Sequence, residues 1–323
     1  WANGCQLLGH CPRSTAAQIM ATGEKFSALL LAGLLRSQHE VEVLNPATFI
    51  LVDGDSDDPV VNLTRCQETF KTAHQKPAKL LVMPGFYGAT IDGQLVTLGR
   101  NGSDYSAAIL ATCLGARVCE IWTDVDGIYN VDPRLVDQAQ LIARMSYQEA
   151  MELSYFGAKV LHPKTIGPIA QHHIPCLIKN TLNPAAPGTL ISNEKSEIWT
   201  SVKGISQLDN VTMFNVAGPG LKGMVGMASR VFEVMSNANI SISLITQSSS
   251  EYSISFCIQE KDAVRAQHLL EDAFTLELQN QLLDQIEVRH DLAIVTLVGD
   301  GMRHTKGLAA RFFAALSQAR VNN

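Results

Sequence analysis

The sequence has no C-x-x-C pair, no clustering of positive charge, and no uninterrupted apolar run near the ~20 residues that a membrane span needs. Each absence removes a class. The seven cysteines are scattered and odd in number, which argues against a disulfide framework and for reduced thiols in a cytoplasmic setting. A formal net charge of −6, spread along the chain, leaves no basic face for nucleic acid, and no membrane partner is expected. His172-His173 lacks a third ligand at metal spacing, and the acidic loop 53–58 lacks the closing glutamate of an EF-hand, so no metal ligands are assigned. Trp1-Ala2-Asn3-Gly4 is not a charged-then-apolar leader and reads as the middle of a longer protein. At 323 residues, two or more domains with their own cores are expected.

What is present concentrates in 98–134, LGRNGSDYSAAILATCLGARVCEIWTDVDGIYNVDPR. Residues 95–98 end a strand, and Arg100-Asn101-Gly102 is a turn in which glycine supplies unusual backbone angles. Ser103 or Asp104 caps a helix running through Ala107, Ile109, Leu110 and Leu114 to a stop at Gly115. Backbone N–H groups at such a helix start attract anions, and Arg100 beside them can grip a carboxylate or phosphate bidentately. Residues 118–122 read as a buried strand, with Thr123-Asp124-Val125-Asp126-Gly127 at its carboxyl end, where open α/β sheets bind ligands. The bland alternative is an ordinary αβ turn with a surface acidic loop.

Around this stretch, 14–35 fits one amphipathic helix with Ala17, Met20, Ala21, Phe26, Leu29, Leu30, Gly33 and Leu34 on its apolar face. Gly23 inside it costs ~1 kcal/mol, which would be explained by close approach of a ligand or backbone that leaves Glu24 aimed into a site; a kink with a solvated Glu-Lys pair fits as well. Residues 41–44 and 79–83 are strands, the second running into the glycine-bearing loop Pro84-Gly85-Phe86-Tyr87-Gly88. The segment 146–156 is helical, with Ser146 and Glu149 forming a capping box. Lys159, behind Gly157 and ahead of Pro163, reaches a nucleotide phosphate or is a plain surface lysine. Residues 174–179 and 189–191 are strands, and the polar stretch 192–201 is a domain linker.

The remainder contains an internal repeat. Laying 211–240 over 292–321 needs no gap, and Gly218/Gly299, Gly220/Gly301, Gly226/Gly307, Arg230/Arg311, Phe232/Phe313 and Ala238/Ala319 coincide. Each copy reads strand, glycine loop, helix; in the first, Met224, Met227, Val231, Met235 and Ala238 share a helical period. Strand-like runs at 240–246 and 252–258 and a helix at 263–273 complete a β-α-β-β-α order, the ferredoxin-like split unit. The second copy is expected to break off after its first helix.

LGRNGSDYSAA, EIWTDVDGIYNVDPR and SYFGAKVLHPKT resemble the signature blocks of the aspartokinases, in the same order. ITQSSSEYSISF and GPGLKGMVGMA resemble the kinase portion of the bifunctional aspartokinase–homoserine dehydrogenases. The resemblance covers nearly all of 4–323 and implies an α/β amino-acid-kinase fold, three-layer α/β/α with a mixed sheet, followed by α+β ferredoxin-like ACT modules. It divides the chain into a kinase domain at 1–198, a first ACT module with linker at 199–290 and the start of a second at 291–323. The implied reaction is phosphoryl transfer from MgATP to the side-chain carboxylate of L-aspartate, giving 4-phospho-L-aspartate. That is the first step toward threonine, methionine and lysine.

By the same resemblance Arg100 clamps the substrate α-carboxylate, Glu24 binds its ammonium, and Asn101, Gly102 and Ser103 complete the acceptor site. Asp104 is the catalytic-site acid, helping to orient a lysine. Thr123, Asp124, Tyr129 and Arg134 hold ATP, with Lys159 and Val160 completing its pocket and Mg2+ accompanying the nucleotide. Ser243 stands where lysine-sensitive relatives carry an acidic residue, and an unpaired buried ammonium is costly. Threonine is therefore the expected effector, held by Gly223, Met224, Val225, Ser243 and Gln247, although Gln247 also reads as a strand-end polar residue. ACT modules imply a homo-oligomer. The family's opening K-F-G-G-[TS]-S block has no counterpart here, which puts in question the activity of this stretch on its own. No dinucleotide fingerprint is present, so no hydride chemistry is expected. The rival readings are a glutamate or uridylate kinase on the same fold, and a non-catalytic amino-acid-sensing or oligomerisation fragment.

Overall fold

The structure, a computed structural model, describes residues 2–53, 59–74, 79–155, 161–193, 202–221, 226–248 and 252–321. The chain forms two compact units, residues 1–206 with 297–323, and residues 207–296. In chain order the first unit carries α1 (Ala2–Leu8), α2 (Arg13–Leu35), β1 (Val41–Val43), β2 (Leu51–Asp53), β3 (Val60–Val61) and α3 (Leu63–Ala73). There follow β4 (Leu80–Val82), β5 (Tyr87–Thr90), β6 (Leu95–Thr97), α4 (Gly102–Leu114) and β7 (Cys119–Thr123). The run closes with β8 (Arg144–Ser146), α5 (Tyr147–Tyr155), α6 (Pro163–Gln171), β9 (Cys176–Asn180) and β10 (Thr189–Ser192).

Parallel and antiparallel pairs mix in these sheets. β1 pairs parallel to β4, β2 lies parallel to β5 and antiparallel to β3, and β5 pairs antiparallel with β6. The third sheet runs β7-β9-β10-β8, with β7 parallel to β9 and β9 antiparallel to β10. Its core joins Ile121, Ile178 and Ile191 to Ile166 and Ile169 of α6 and Leu153 of α5. A second core sets Phe49, Phe70 and Ile109 around α3 and α4, so α4 is held by apolar packing. Gly115 ends α4 in the left-handed region, as expected.

Three expectations need correction. α2 runs unbroken, but its buried stripe is Ala17, Ala21, Ala28 and Ala32, while Phe26, Leu30 and Leu34 are 63%, 71% and 75% exposed. The small side chains let the helix lie close on its neighbours, which puts the large apolar residues outward. A Cβ on Gly23 would meet nothing within 4 Å among the described atoms, so close approach of another backbone does not explain that glycine. Along β7, Cys119 and Ile121 are buried while Glu120 and Trp122 face outward; the strand is half-buried, and Trp122 Nε1 donates to Glu120 at 3.0 Å.

The second unit is built on β11 (Gly204–Ala217), α7 (Met227–Asn237), β12 (Ile242–Gln247), β13 (Ser253–Gln259), α8 (Ala263–Ala273), α9 (Thr275–Gln279) and β14 (Glu287–Val298). The strand order β12-β13-β11-β14, with β13 antiparallel to β11 and β12, realises the split β-α-β-β-α unit. Phe214 and Phe256 stack at 5.4 Å under Val231 and Met235 of α7 and Leu270 of α8. The helix of the second repeat is α10 (Leu308–Gln318). The repeats agree in backbone: Gly226 and Gly307 stand at the N-caps of α7 and α10 with φ 93° and 77°, where glycine avoids the strain of a Cβ. Each glycine loop also forms a short 3-10 helix, starting at Pro219 and at the matching Asp300. Among the described residues no helix is long and apolar enough to cross a membrane.

Candidate functional site

The Arg100–Asp104 turn meets the loop after β4, and Gly85 is the junction. Its N–H donates to Glu24 Oε1 at 3.4 Å. A Cβ on Gly85 would lie 3.1 Å from Ser103 Cα and 3.2 Å from Ser106 Oγ, so α2 and the start of α4 converge on one backbone segment. Phe86, in the left-handed region at φ 57°, donates its N–H to Ser106 Oγ at 3.2 Å, and Ser106 in turn donates to the Ser103 carbonyl at 2.8 Å. Ser106 is a positioning side chain that sequence reading missed; a serine one turn inside an alanine-rich helix is the only local sign of it.

The entry to α4 differs from expectation. Neither Ser103 nor Asp104 caps it. Asn101 is the N-cap, at φ 54°, with no side-chain cap bond, and Gly99 at φ 78° supplies the other unusual angle. Gly102 is already helical, and its smallness matters for packing, because a Cβ there would lie 3.0 Å from Phe86 Cβ. The early N–H groups of α4 are thus left uncapped by side chains, the arrangement that suits an anion. Arg100 is exposed on this turn. Asp104 sits in the first turn, and burial pushes its carboxyl above the usual range, opposed by Asn101 Nδ2 at 3.5 Å. Burial and the charge of Glu24 push the Tyr87 phenol up to about 12, and Lys25 Nζ lies 5.2 Å from the Tyr87 ring centre.

The acidic loop after β7 is fastened at several points. Thr123 Oγ1 donates to Asp124 Oδ1 at 3.1 Å, and the Thr123 carbonyl accepts the Thr181 N–H at 2.8 Å. Asp126 Oδ1 accepts from Asn180 Nδ2 at 2.7 Å and Asn183 Nδ2 at 3.2 Å, tying the loop to the end of β9. Tyr129 bridges to Leu141. Arg134 is exposed and forms a forked pair with Asp132 at 3.0 and 2.6 Å. A nucleotide phosphate would have to share or displace that carboxylate. Lys159 and Val160 lie outside the described residues. His162 follows them as N-cap of α6, accepting the Lys164 N–H at 3.2 Å. Burial first, then the charges of Lys164 and Arg100, hold its imidazole below the ordinary value.

The expected capping box forms, and it is part of something larger. Glu149 N–H donates to Ser146 Oγ at 3.1 Å and Ser146 N–H returns to Glu149 Oε2 at 2.9 Å. The Glu149 side chain is 1% exposed and also accepts Lys203 Nζ at 2.7 Å and the Asp300 N–H at 2.9 Å. Burial opposes its ionisation, but Lys203 and the two backbone donors outweigh burial and hold the carboxyl below the usual range.

In the second unit Ser243 is the extra residue of a β-bulge, since Ile242 pairs with Ile258 while Leu244 pairs with Cys257. Gln247 is exposed at the end of the same strand. The N–H groups of Gly218, Gly220 and Leu221 are already bonded to Tyr252, Leu282 and Gly218 carbonyls, so this part of the glycine loop has no donors left for an effector. Gly223, Met224 and Val225 lie outside the described residues.

The sequence profile of the amino acid kinase family matches residues 9–180, and that of the ACT domain matches 214–274 and 295–323. The structure is similar to E. coli aspartokinase III in complex with aspartate and ADP, with TM-score 0.79 and 29% identity over 94% of this chain and 68% of that one. The aspartate kinase of Clostridium acetobutylicum gives TM-score 0.79 and 30% identity, covering 97% of this chain and 69% of that one. A bifunctional aspartokinase/homoserine dehydrogenase of Haemophilus influenzae is 52% identical over 97% of this chain, which spans 39% of that relative's length.

Proposed function

Since this chain belongs to the amino acid kinase family and, within it, to the aspartokinases, we propose that it carries the phosphoryl-transfer site of an ATP-dependent L-aspartate kinase. The observation that supports this most is the convergence of Glu24, the Gly85 N–H and the uncapped start of α4 beside Arg100. An amino-acid acceptor carries one ammonium and two carboxylates. Glu24 answers the ammonium, Arg100 with Asn101, Gly102 and Ser103 answers the α-carboxylate, and the side-chain carboxylate is left to attack the γ-phosphorus. Such a step is governed by positioning and charge neutralisation. Asp104 lines the transfer site, where burial raises its pKa against the opposing hydrogen bond from Asn101, and its role there is to orient a lysine.

Thr123, Asp124, Tyr129 and Arg134 take MgATP from the carboxyl end of β7, with Lys159 and Val160 closing the pocket. Among the described residues no three His, Cys, Asp or Glu side chains cluster as a metal cage. Magnesium would therefore arrive held mainly by nucleotide phosphates and water, its usual state in such sites. The proposed division is kinase 1–198, first ACT module 199–290 and start of a second 291–323. The effector is threonine, bound by Gly223, Met224, Val225, the bulge residue Ser243 and Gln247. Leu244 and Ile245, exposed on the edge strand β12, favour pairing of ACT modules into a homo-oligomer. The reading places the enzyme in the cytoplasm. ADP release by the full-length enzyme, coupled to a spectrophotometric readout, is expected to depend on aspartate. Equal rates with glutamate, or with no acceptor, would overturn the assignment.

A further inference from the structure

Helices α4 and α6 lie against each other in the first unit, Ala108 and Ala111 of α4 sharing one core with Leu161, Ile166 and Ile169. Their N-terminal ends meet. Arg100 stands two residues ahead of α4, and its charge acts on His162, the N-cap of α6. Pro163 at the first helical position confines His162 to extended backbone, φ −99° and ψ 141°, which limits where the ring can stand. The Lys164 N–H donates to His162 Nδ1 at 3.2 Å, so the proton of the neutral imidazole is on Nε2. Among the described residues nothing accepts that Nε2–H and nothing engages the Arg100 guanidinium. The Thr165 hydroxyl, in the first turn of α6, is fully buried and also lacks a described partner. The polar demand of this corner is thus not met by the described chain.

We propose that His162 is a specificity-determining residue whose Nε2–H binds the acceptor's α-carboxylate beside Arg100. The proposal rests on the aspartokinase reading and deepens it by adding a residue to the acceptor site. Capping alone does not call for histidine, because Ser, Thr, Asp and Asn are the ordinary N-caps. An aspartate here would repel a bound carboxylate. A serine would hold the Lys164 N–H but has no donor at the far side of a ring. Burial, then the charges of Lys164 and Arg100, keep the imidazole neutral, so it accepts at one nitrogen and donates at the other without opposing Arg100. Two donors from separate helix starts, one charged and one neutral, then meet one carboxylate, which has about four lone-pair sites to receive them. An acceptor without the α-carboxylate would leave both donors unpaired, which is how a polar site rejects such an analogue.

Two substitutions separate the donor from the cap. His162→Ser keeps an N-cap and deletes the Nε2–H, whereas His162→Gln loses the cap but carries an amide N–H to roughly the place of Nε2. In the full-length enzyme, His162→Ser should raise the KM for aspartate about ten-fold or more, with kcat and the KM for ATP within about two-fold. Its urea midpoint should match that of the unmodified enzyme. His162→Gln should keep the KM for aspartate within about three-fold while lowering the urea midpoint. A residue that only caps α6 predicts the reverse order, and that result overturns the proposal. A rise in the aspartate KM that Gln does not restore overturns it too. So does a rise confined to ATP, which would give the donor to a nucleotide phosphate. Calorimetric titration with L-aspartate separates this from failure of the functional reading. If the unmodified enzyme binds aspartate without turning it over, the functional reading alone fails. The affinity of His162→Ser, lowered about ten-fold or unchanged, then decides for or against the donor. If it binds no aspartate, both fall.

Discussion

Replacing Arg100 by Ala tests the acceptor half of the proposed site. Arg100 is exposed on the turn between Gly99 and Asn101, both at positive φ, and among the described residues no hydrogen bond or ion pair engages its guanidinium. Its removal therefore leaves packing intact, and the melting temperature should stay within about a degree or two, as for other surface substitutions. Hydrogen bonds to charged groups contribute about 1.5–3 kcal/mol each, and the second arm of a fork adds less than the first. Losing about 2–3 kcal/mol of carboxylate binding corresponds to a rise of roughly 30- to 150-fold in the KM for aspartate. The KM for ATP should move by less than about three-fold, because Arg100 is assigned to the acceptor alone. Steady-state ADP release in the full-length enzyme, with each substrate varied at saturating levels of the other, separates the two. Equal increases in both KM values would refute the assignment. A second check needs no substrate. Arg100 is one of three causes that hold the His162 imidazole down, after burial and Lys164, so its loss should raise the His162 pKa in an NMR titration. No change at His162 would mean that the turn and the N-cap of α6 are not neighbours.

Gly188 has φ 79° and a Cβ there would lie 2.2 Å from the Ile178 carbonyl, so Gly188→Ala should cost at least about 2 kcal/mol, read as a lower urea midpoint. Thr189 Oγ1 donates to the Ile142 carbonyl at 2.7 Å and accepts the Ile128 N–H at 2.8 Å; Thr189→Val leaves both partners unmet and should cost about 2–4 kcal/mol in the same assay. Glu149 has a depressed folded pKa, so its contribution is complete above the unfolded value of about 4.3 and is lost as pH falls through the folded value. Breaking such a buried pair costs about 3–5 kcal/mol, so Glu149→Gln should be clearly less stable near neutrality, with the difference shrinking below about pH 4.

How much of this was legible in the sequence follows from the range of the interactions concerned. The glycine loops, the amphipathic helices of the repeat, the capping box and the stop at Gly115 are set by neighbours a few residues away, and all appear where the residues place them. The face of α2 was misread because periodicity reports where apolar residues recur and not which of them are small enough to let two backbones approach. The start of α4 was misread because Asn tolerates the left-handed region, so a turn that looked dependent on Gly102 is made by Gly99 and Asn101. Glu149 marks the limit most clearly. Local reading found its partner three residues away, but its other donors stand 54 and 151 residues along the chain. A carboxylate offers about four lone-pair sites, and a capping box fills only one of them. An acid buried this deeply has to fill most of the rest. That requirement ties α5 to Lys203 ahead of β11 and to the second glycine loop, and no window of sequence shorter than the 151-residue separation of Glu149 and Asp300 contains it.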